Sequence, residues 1–470
     1  MIKIFSFLKY KIKLICQNRL VAFLIGIYIG LSLKKISKQI SNKKNKVLIF
    51  SEKRWIQSLY ILKKNKELEL FSIPDKIFNQ INSLFRAKEY YLNTTSRKRK
   101  NEKIIFFRYK SDSYYLNKDS NILEERKRQR EFIKIIGNIL KKIFSIDCAL
   151  TCSFYYNQEQ EWAAGLTSAK IPFITIHKEQ SEFDNFQLDT FLNRLEEIKF
   201  KYQGDSILLP NKRMVKVFKK RDMFKNTYIN ATGIVKYDSL FKRIKKNKKK
   251  KIITFFSFWH YLANIDQKEN KFDSYSKEKF FLGFSQKKEE GFSRLFYNSH
   301  KIFILEALKN KDCIFYIKPR INERWWYDRI CDLVQDITGK NIDEIENLFI
   351  TDESAYNLIR KSVNVIGFNS TVLIESIILG HKPILPLFNE ATNKYKNQVF
   401  FLKFLNLFSV ANSEYKLSKL INLNLKEKIK SKSKSKRNVR QFLEYYINYT
   451  KPFSENKTVE NIKRIISKYK

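Results

Sequence analysis

Residues 363–387 read VNVIGFNSTVLIESIILGHKPILPL, and the reading of this stretch decides the fold. Val363–Gly367 is a short apolar run bounded by turn residues, which predicts a buried strand. It ends in Phe368–Asn369–Ser370–Thr371, and a helix is predicted at once over Val372–Leu379, with Ser370 or Thr371 as its N-cap. Gly380 ends the helix and Pro383 opens a second strand, Pro383–Leu387. A strand, a helix and a strand in so short a span form a βαβ unit with parallel strands. The turn also has chemical use. A helix start offers free N–H groups and partial positive charge to a phosphate. Gly367 allows close backbone approach. Glu375, one turn in, is placed to accept ribose or sugar hydroxyls.

The same alternation extends outward in both directions. Upstream in this half, Ile252–Ser257, Cys313–Lys318 and Leu348–Ile350 read as strands, with helices over Phe292–Asn310, Glu323–Thr338 and Ser354–Lys361 between them. In the first half, Val47–Ser51, Ile104–Phe107, Cys148–Thr151, Phe173–His177, Ser206–Leu209 and Tyr228–Ala231 read as strands, with helical spacing over 122–144 and 157–170. Strands alternating with helices predict a doubly wound parallel sheet in each half. The run 242–251, KRIKKNKKKK, has eight basic residues and reads as a solvated linker between the halves. The expected organisation is therefore a basic apolar segment over 1–46, a Rossmann-like domain over 47–241, the linker, a second such domain over 252–415, and a basic run with a helical tail over 416–470. Two such domains facing across a cleft would place ligands outside the carboxyl ends of the strands.

The chain has 470 residues with 92 Lys+Arg against 47 Asp+Glu, a formal charge of +45. A hydrophobic content of 43% excludes wholesale disorder. So basic a chain suggests nucleic acid, an anionic membrane surface, or a compositional drift toward Lys, Ile, Asn and Phe with little Gly and Pro. No recognition helix, RRM pattern or zinc module is present in the sequence, so no specific nucleic-acid partner is expected. Five scattered cysteines without a CxxC pair suit a reducing cytosol, and four dispersed histidines announce no metal centre. The first 46 residues carry eleven Lys and Arg and no acid, around the uncharged run 20–33, LVAFLIGIYIGLSL. As a helix that run reaches about 21 Å, short of a bilayer core of roughly 30 Å. It is expected to lie against an anionic membrane surface, at the cytoplasmic face, rather than to cross it; the alternative is a helix packed on the body of the protein.

The pattern GFNST, then Glu375–Ser376, then LGHKPI resembles the donor-binding segment of GT-B glycosyltransferases and their relatives. These include CDP-glycerol glycerophosphotransferases, UDP-N-acetylglucosamine 2-epimerases and bacterial surface-carbohydrate (capsule-type) biosynthesis proteins. Thr232–Gly233, followed by Asp238, looks like the TG-x-x-x-x-D element that closes the first domain of such enzymes. Lys318–Pro319–Arg320 resembles their K/H-P-R element, with Lys318 where the glycerophosphotransferases usually have His. Ile171–Pro172 and Thr175–Ile176–His177–Lys178–Glu179 resemble a strand end of surface-polysaccharide proteins.

The resemblance implies an α/β protein of two facing Rossmann-like (GT-B) domains, with a nucleotide-activated sugar as substrate and no cofactor. It implies that Asn369, Ser370 and Thr371, beside Gly367, hold the donor's phosphates, that Glu375 holds its ribose or sugar hydroxyls, and that Lys318 and Arg320 neutralise the diphosphate leaving group. His177 and Glu179, at a first-domain strand end, are the candidates for the base on an acceptor hydroxyl. Glu159 and Glu161, with Tyr155 and Tyr156, are further candidates for the acceptor side; His260 is a weaker one for the phosphates. No DxD metal motif stands out, which fits metal-independent transfer of a glycosyl or phospho-polyol group to a surface polysaccharide or lipid-linked acceptor. The alternatives are a non-catalytic partner in polysaccharide assembly and, less favoured, a nucleic-acid-binding protein.

Overall fold

The computed structural model describes residues 15–37, 45–85, 120–241, 251–258, 291–319, 324–393, 395–426 and 436–469. Within them the chain forms two compact units. The first gathers the chain up to Glu179, Leu192–Asp238 and the tail Phe453–Lys470; the second gathers Gln180–Phe191 and Ser239–Pro452.

Each unit is built on six parallel strands. In the first they are β1 (Asn45–Ile49), β2 (Leu68–Ser72), β3 (Cys148–Thr151), β4 (Phe173–Ile176), β5 (Ser206–Leu209) and β6 (Tyr228–Ala231), in the order β2-β1-β3-β4-β5-β6. In the second they are β7 (Ile252–Phe256), β8 (Ile314–Lys318), β9 (Leu348–Ile350), β10 (Ser362–Gly367), β11 (Ile384–Pro386) and β12 (Ser409–Ala411), in the order β12-β11-β10-β7-β8-β9. The chain builds outward from one side of β1, or β7, and then crosses to the other side. That reversal creates a topological switch point at β1/β3 in the first unit and at β7/β10 in the second.

Two strands, β2 and β12, were not expected from the sequence. The stretch expected as a strand at Ile104–Phe107 lies outside the described residues, as do the linker 242–250 and His260.

The first sheet is buried on both faces, as a parallel sheet requires. Leu48 and Phe50 join Phe71, Phe132, Ile136, Phe144 and Trp162 on one face. Val47 and Ile49 join Leu150, Ile174, Leu208, Ile462 and Ile466 on the other. This is the period-two alternation of a strand. The first face is covered by α1 (Arg19–Ser37), α2 (Ser120–Phe144) and α3 (Asn157–Ser168). Helix α4 (Asn185–Glu197) follows β4, and in the second unit α5 (Ser293–Lys309) precedes β8 and α6 (Val372–Ile378) follows β10.

The tail helix α7 (Ser454–Ser467) supplies Val459, Ile462, Ile465 and Ile466 to the core of the first unit. Its start is fixed by Asp238, whose carboxylate accepts from the backbone N–H of Ser454 at 3.1 Å and Glu455 at 2.7 Å, with Phe453 at 3.3 Å. The Asp238 carboxyl is nonetheless raised above its ordinary value, because burial outweighs those three donors. The last residue of the Thr232–Gly233–Asp238 element thus closes the first unit by anchoring a helix from the other end of the chain.

Candidate functional site

The stretch that opened the sequence reading forms the carboxyl edge of the second sheet at its switch point. Gly367 ends β10 in register with Phe256 of β7, which is in register with Lys318 of β8. At roughly 4.8 Å between neighbouring strands, Lys318 and Gly367 stand about 10 Å apart along one row. Burial pulls the Lys318 ammonium below its ordinary pKa, partly offset by the Asp352 carboxylate. Gly367 earns its place by packing: a Cβ there would come 3.3 Å from Leu373 Cδ2 and 3.7 Å from Phe256 Cβ. Pro319 is buried, and Arg320 lies outside the described residues.

Asn369 turns the chain with a φ of 45°, a left-handed conformation that Asn tolerates better than most residues. Its side-chain amide is engaged twice with backbone, donating to Gln398 O at 2.9 Å and accepting from Phe400 N at 2.9 Å. Asn369 therefore positions a neighbouring segment with its amide. The cap comes from Ser370, whose Oγ accepts from Val372 N at 3.4 Å; the Thr371 side chain makes no capping bond. Glu375 is buried on α6, and its backbone N–H donates to Thr371 O.

Beside this row, Ser257 follows β7 and meets His300 of α5. The His300 Nδ1–H donates to Phe296 O at 2.8 Å, so Nε2 accepts from the Ser257 hydroxyl at 3.0 Å. Burial lowers the imidazole to about 4, and it remains neutral at physiological pH. Glu390 accepts from the Arg294 and Leu295 amides at 2.9 and 3.0 Å, which caps α5.

The first unit's switch point has a different chemistry. Ser51, just after β1, is left-handed with a φ of 49°. Its hydroxyl and that of Thr151, at the end of β3, both donate to Glu159 of α3. Burial pushes the Glu159 carboxyl up to about 7 despite these two donors. Glu179 follows β4 and accepts from the hydroxyls of Tyr155 and Tyr156, the latter at 2.8 Å. The Arg54 guanidinium lies 4.4 Å from the centre of the Tyr156 ring, with Glu179 among the charges that act on it. Cys152 sits in the same place, and burial raises its thiol to about 12, so it is no thiolate at neutral pH.

His177 continues β4, its N–H donating to Leu208 O at 2.8 Å. Its ring is 1% exposed and packs edge-on to Phe154 at 4.8 Å, with Tyr155 and Phe218 around it. Glu161 is held in an ion pair with Arg126 at 2.8 Å and with Arg130, which fastens α3 to α2. It serves the interior and not an acceptor surface. Among the described residues no group of three or more His, Cys, Asp or Glu could hold a metal ion.

Two Rossmann-like units in series, with the last helix returned to the first, make the chain organisation of a GT-B fold. The fold is of that type. The chain is similar in structure to S. aureus MnaA solved with UDP, at 13% identity and a TM-score of 0.44, covering 90% of this chain and 97% of that one. It is similar to the wall teichoic acid polymerase TagF at 11% identity and 0.41, covering 100% and 99%, and to Acinetobacter baumannii MurG at 9% and 0.37, covering 90% and 99%. No protein-family model matches the chain, and no curated protein sequence does.

Proposed function

We propose that this protein transfers a glycosyl or related phospho-polyol group from a nucleotide-activated donor to a surface polysaccharide or lipid-linked acceptor. The observation that carries the reading is the placement of Lys318, Gly367, Asn369, Ser370, Thr371 and Glu375 at one sheet edge, beside the β7/β10 switch point. Ligands of open α/β sheets bind at such edges. In this reading Ser370, Thr371 and the backbone after Gly367 contact the donor phosphates. Lys318 meets the charge of the departing nucleotide, with Arg320 beside it in sequence, and Glu375 receives sugar or ribose hydroxyls. Glu179 in the first unit is the candidate base for the acceptor hydroxyl's proton. His177, enclosed by aromatic rings, holds the strand end on which Glu179 stands.

The enclosure of His177 favours a second reading, a binding protein of the same fold that holds nucleotide without turnover. Full-length protein incubated with a panel of nucleotide-activated donors distinguishes the two by release of free nucleotide. Transfer predicts release that Glu375→Gln lowers at least a hundredfold with no change in thermal melting. Binding without release supports the second reading, and binding of no donor at all defeats both.

A further inference from the structure

The helix α1 packs with one face only. Ala22, Ile29 and Leu33 are buried, and Gly26 and Gly30 lie under Ile139 and Ile143 of α2. A Cβ at Gly26 would come 3.0 Å from Ile139 Cβ, and one at Gly30 would come 3.3 Å from Ile143 Cγ2. Small residues at i and i+4 thus bring the two helices close together, running in the same direction. The opposite face carries Leu20, Phe23, Leu24, Tyr28 and Leu31, each between 43% and 65% exposed. These positions recur at helical spacing, and together they form a contiguous apolar stripe, unlike the scattered apolar residues of an ordinary surface. Exposed cations stand at both ends of the stripe: Arg19 at one, Lys34 and Lys35 at the other. The supporting helix α2 exposes Lys127, Arg128, Lys141 and Lys142 against two exposed acids, Glu124 and Glu131.

We infer that α1 is an in-plane anchor by which the first unit docks on an anionic lipid bilayer. The occupant follows from charge and length. The helix has 19 residues and by length and composition alone is long and apolar enough to cross a membrane. Yet its uncharged part reaches only about 21 Å against a core of roughly 30 Å. Its inner face is also part of the first unit's core, so it cannot be ringed by lipid without opening that core. A helix with an apolar outer face and cations at its ends lies flat, with the side chains in the acyl boundary and the cations among the headgroups. This inference stands apart from the donor site, since it concerns a different element of a different unit.

The test is co-sedimentation of the full chain with phosphatidylcholine vesicles, with and without phosphatidylglycerol. Binding at least tenfold stronger to the anionic vesicles, falling with added salt, is expected. Leu24→Glu combined with Leu31→Glu should lower it at least tenfold with unchanged thermal melting, because both side chains are half exposed. Phe23→Trp should gain a fluorophore quenched more by lipid brominated near the headgroup than by lipid brominated near the chain end. Absence of binding to anionic vesicles, binding indifferent to the double substitution, or stronger quenching from the chain end overturns the inference. So does a change from dimer to monomer on double substitution, which would make a second copy the occupant. Nucleotide release, measured separately, reads the donor site and is not expected to follow any of these outcomes.

Discussion

At the carboxyl edge of the first sheet, the side chains around the switch point are Ser51, Thr151 and Cys152, with the carboxyls Glu159 and Glu179 among them and tyrosines beside them. At the equivalent edge of the second sheet they are Lys318, Gly367, Ser370 and Thr371, with Glu375 on the helix that follows. Both edges use the same backbone device, a left-handed residue two positions beyond the strand end: Ser51 after β1, Asn369 after β10. On that shared scaffold one edge gathers carboxyls and hydroxyls, and the other a lysine, a glycine and small polar residues. The difference matches the division proposed above, acceptor activation at the first edge and donor binding at the second.

The largest expected effect lies at the acidic edge. Glu159 rises from an ordinary 4.5 to about 7 in the folded protein. Folding therefore favours its protonated form. From pH 4.5 to 7 the unfolded chain has released this proton while the folded one keeps it, so stability falls as pH rises through that window. The loss amounts to on the order of 3 kcal/mol by pH 8. Glu159→Gln, which keeps the shape and stays neutral, should melt increasingly above the parent protein between pH 5 and 8. Equal melting shifts at both pH values would break the contrast between the edges.

Next in size is Asn369→Ala at the second edge. It removes two hydrogen bonds and places Ala at a φ of 45°, which should cost about 2 kcal/mol in urea unfolding. Asn369→Gly should recover part of that, since only the backbone penalty is relieved. Lys318→Ala should weaken binding of a nucleoside diphosphate about tenfold, or about 1.4 kcal/mol, and leave melting nearly unchanged. If Glu179→Gln weakened that binding as much, the assignment of anion binding to the second edge would fail. The smallest effect is Gly367→Ala. Its 3.3 Å approach to the flexible end of Leu373 should cost about 1 kcal/mol or less in unfolding.

The strands that could be read from sequence were those that fill themselves with apolar residues, such as Ile252–Phe256 or Phe173–Ile176. Leu68–Ser72 escaped because Glu69 and the charged residues before it break the apolar run, although Glu69 is buried at 5% exposure in the folded sheet. Ser409–Ala411 is three residues long and carries no pattern of its own. The second edge was legible because its turn chemistry is local: glycine, polar residues and helix follow one another directly. The first edge was not. Ser51 and Glu159 are 108 positions apart, and only the closure of β1 against β3 brings them together. Glu159 stood among the acceptor-side candidates from its position alone, while the hydroxyl pair around it and its raised pKa arise from tertiary packing. Asn369 illustrates the converse. Its residue type suited a phosphate loop, but its amide is engaged by backbone some 30 positions on, at Gln398 and Phe400.

The central claim is that the anion-binding edge belongs to the second unit. Amide hydrogen exchange of the full chain, with and without a saturating nucleoside diphosphate, tests it most directly. The account predicts slowed exchange over Phe368–Glu375 and around Lys318, with exchange over Ser51–Trp55 and Thr151–Tyr156 unchanged. Protection confined to those first-unit segments, or none anywhere, would contradict it.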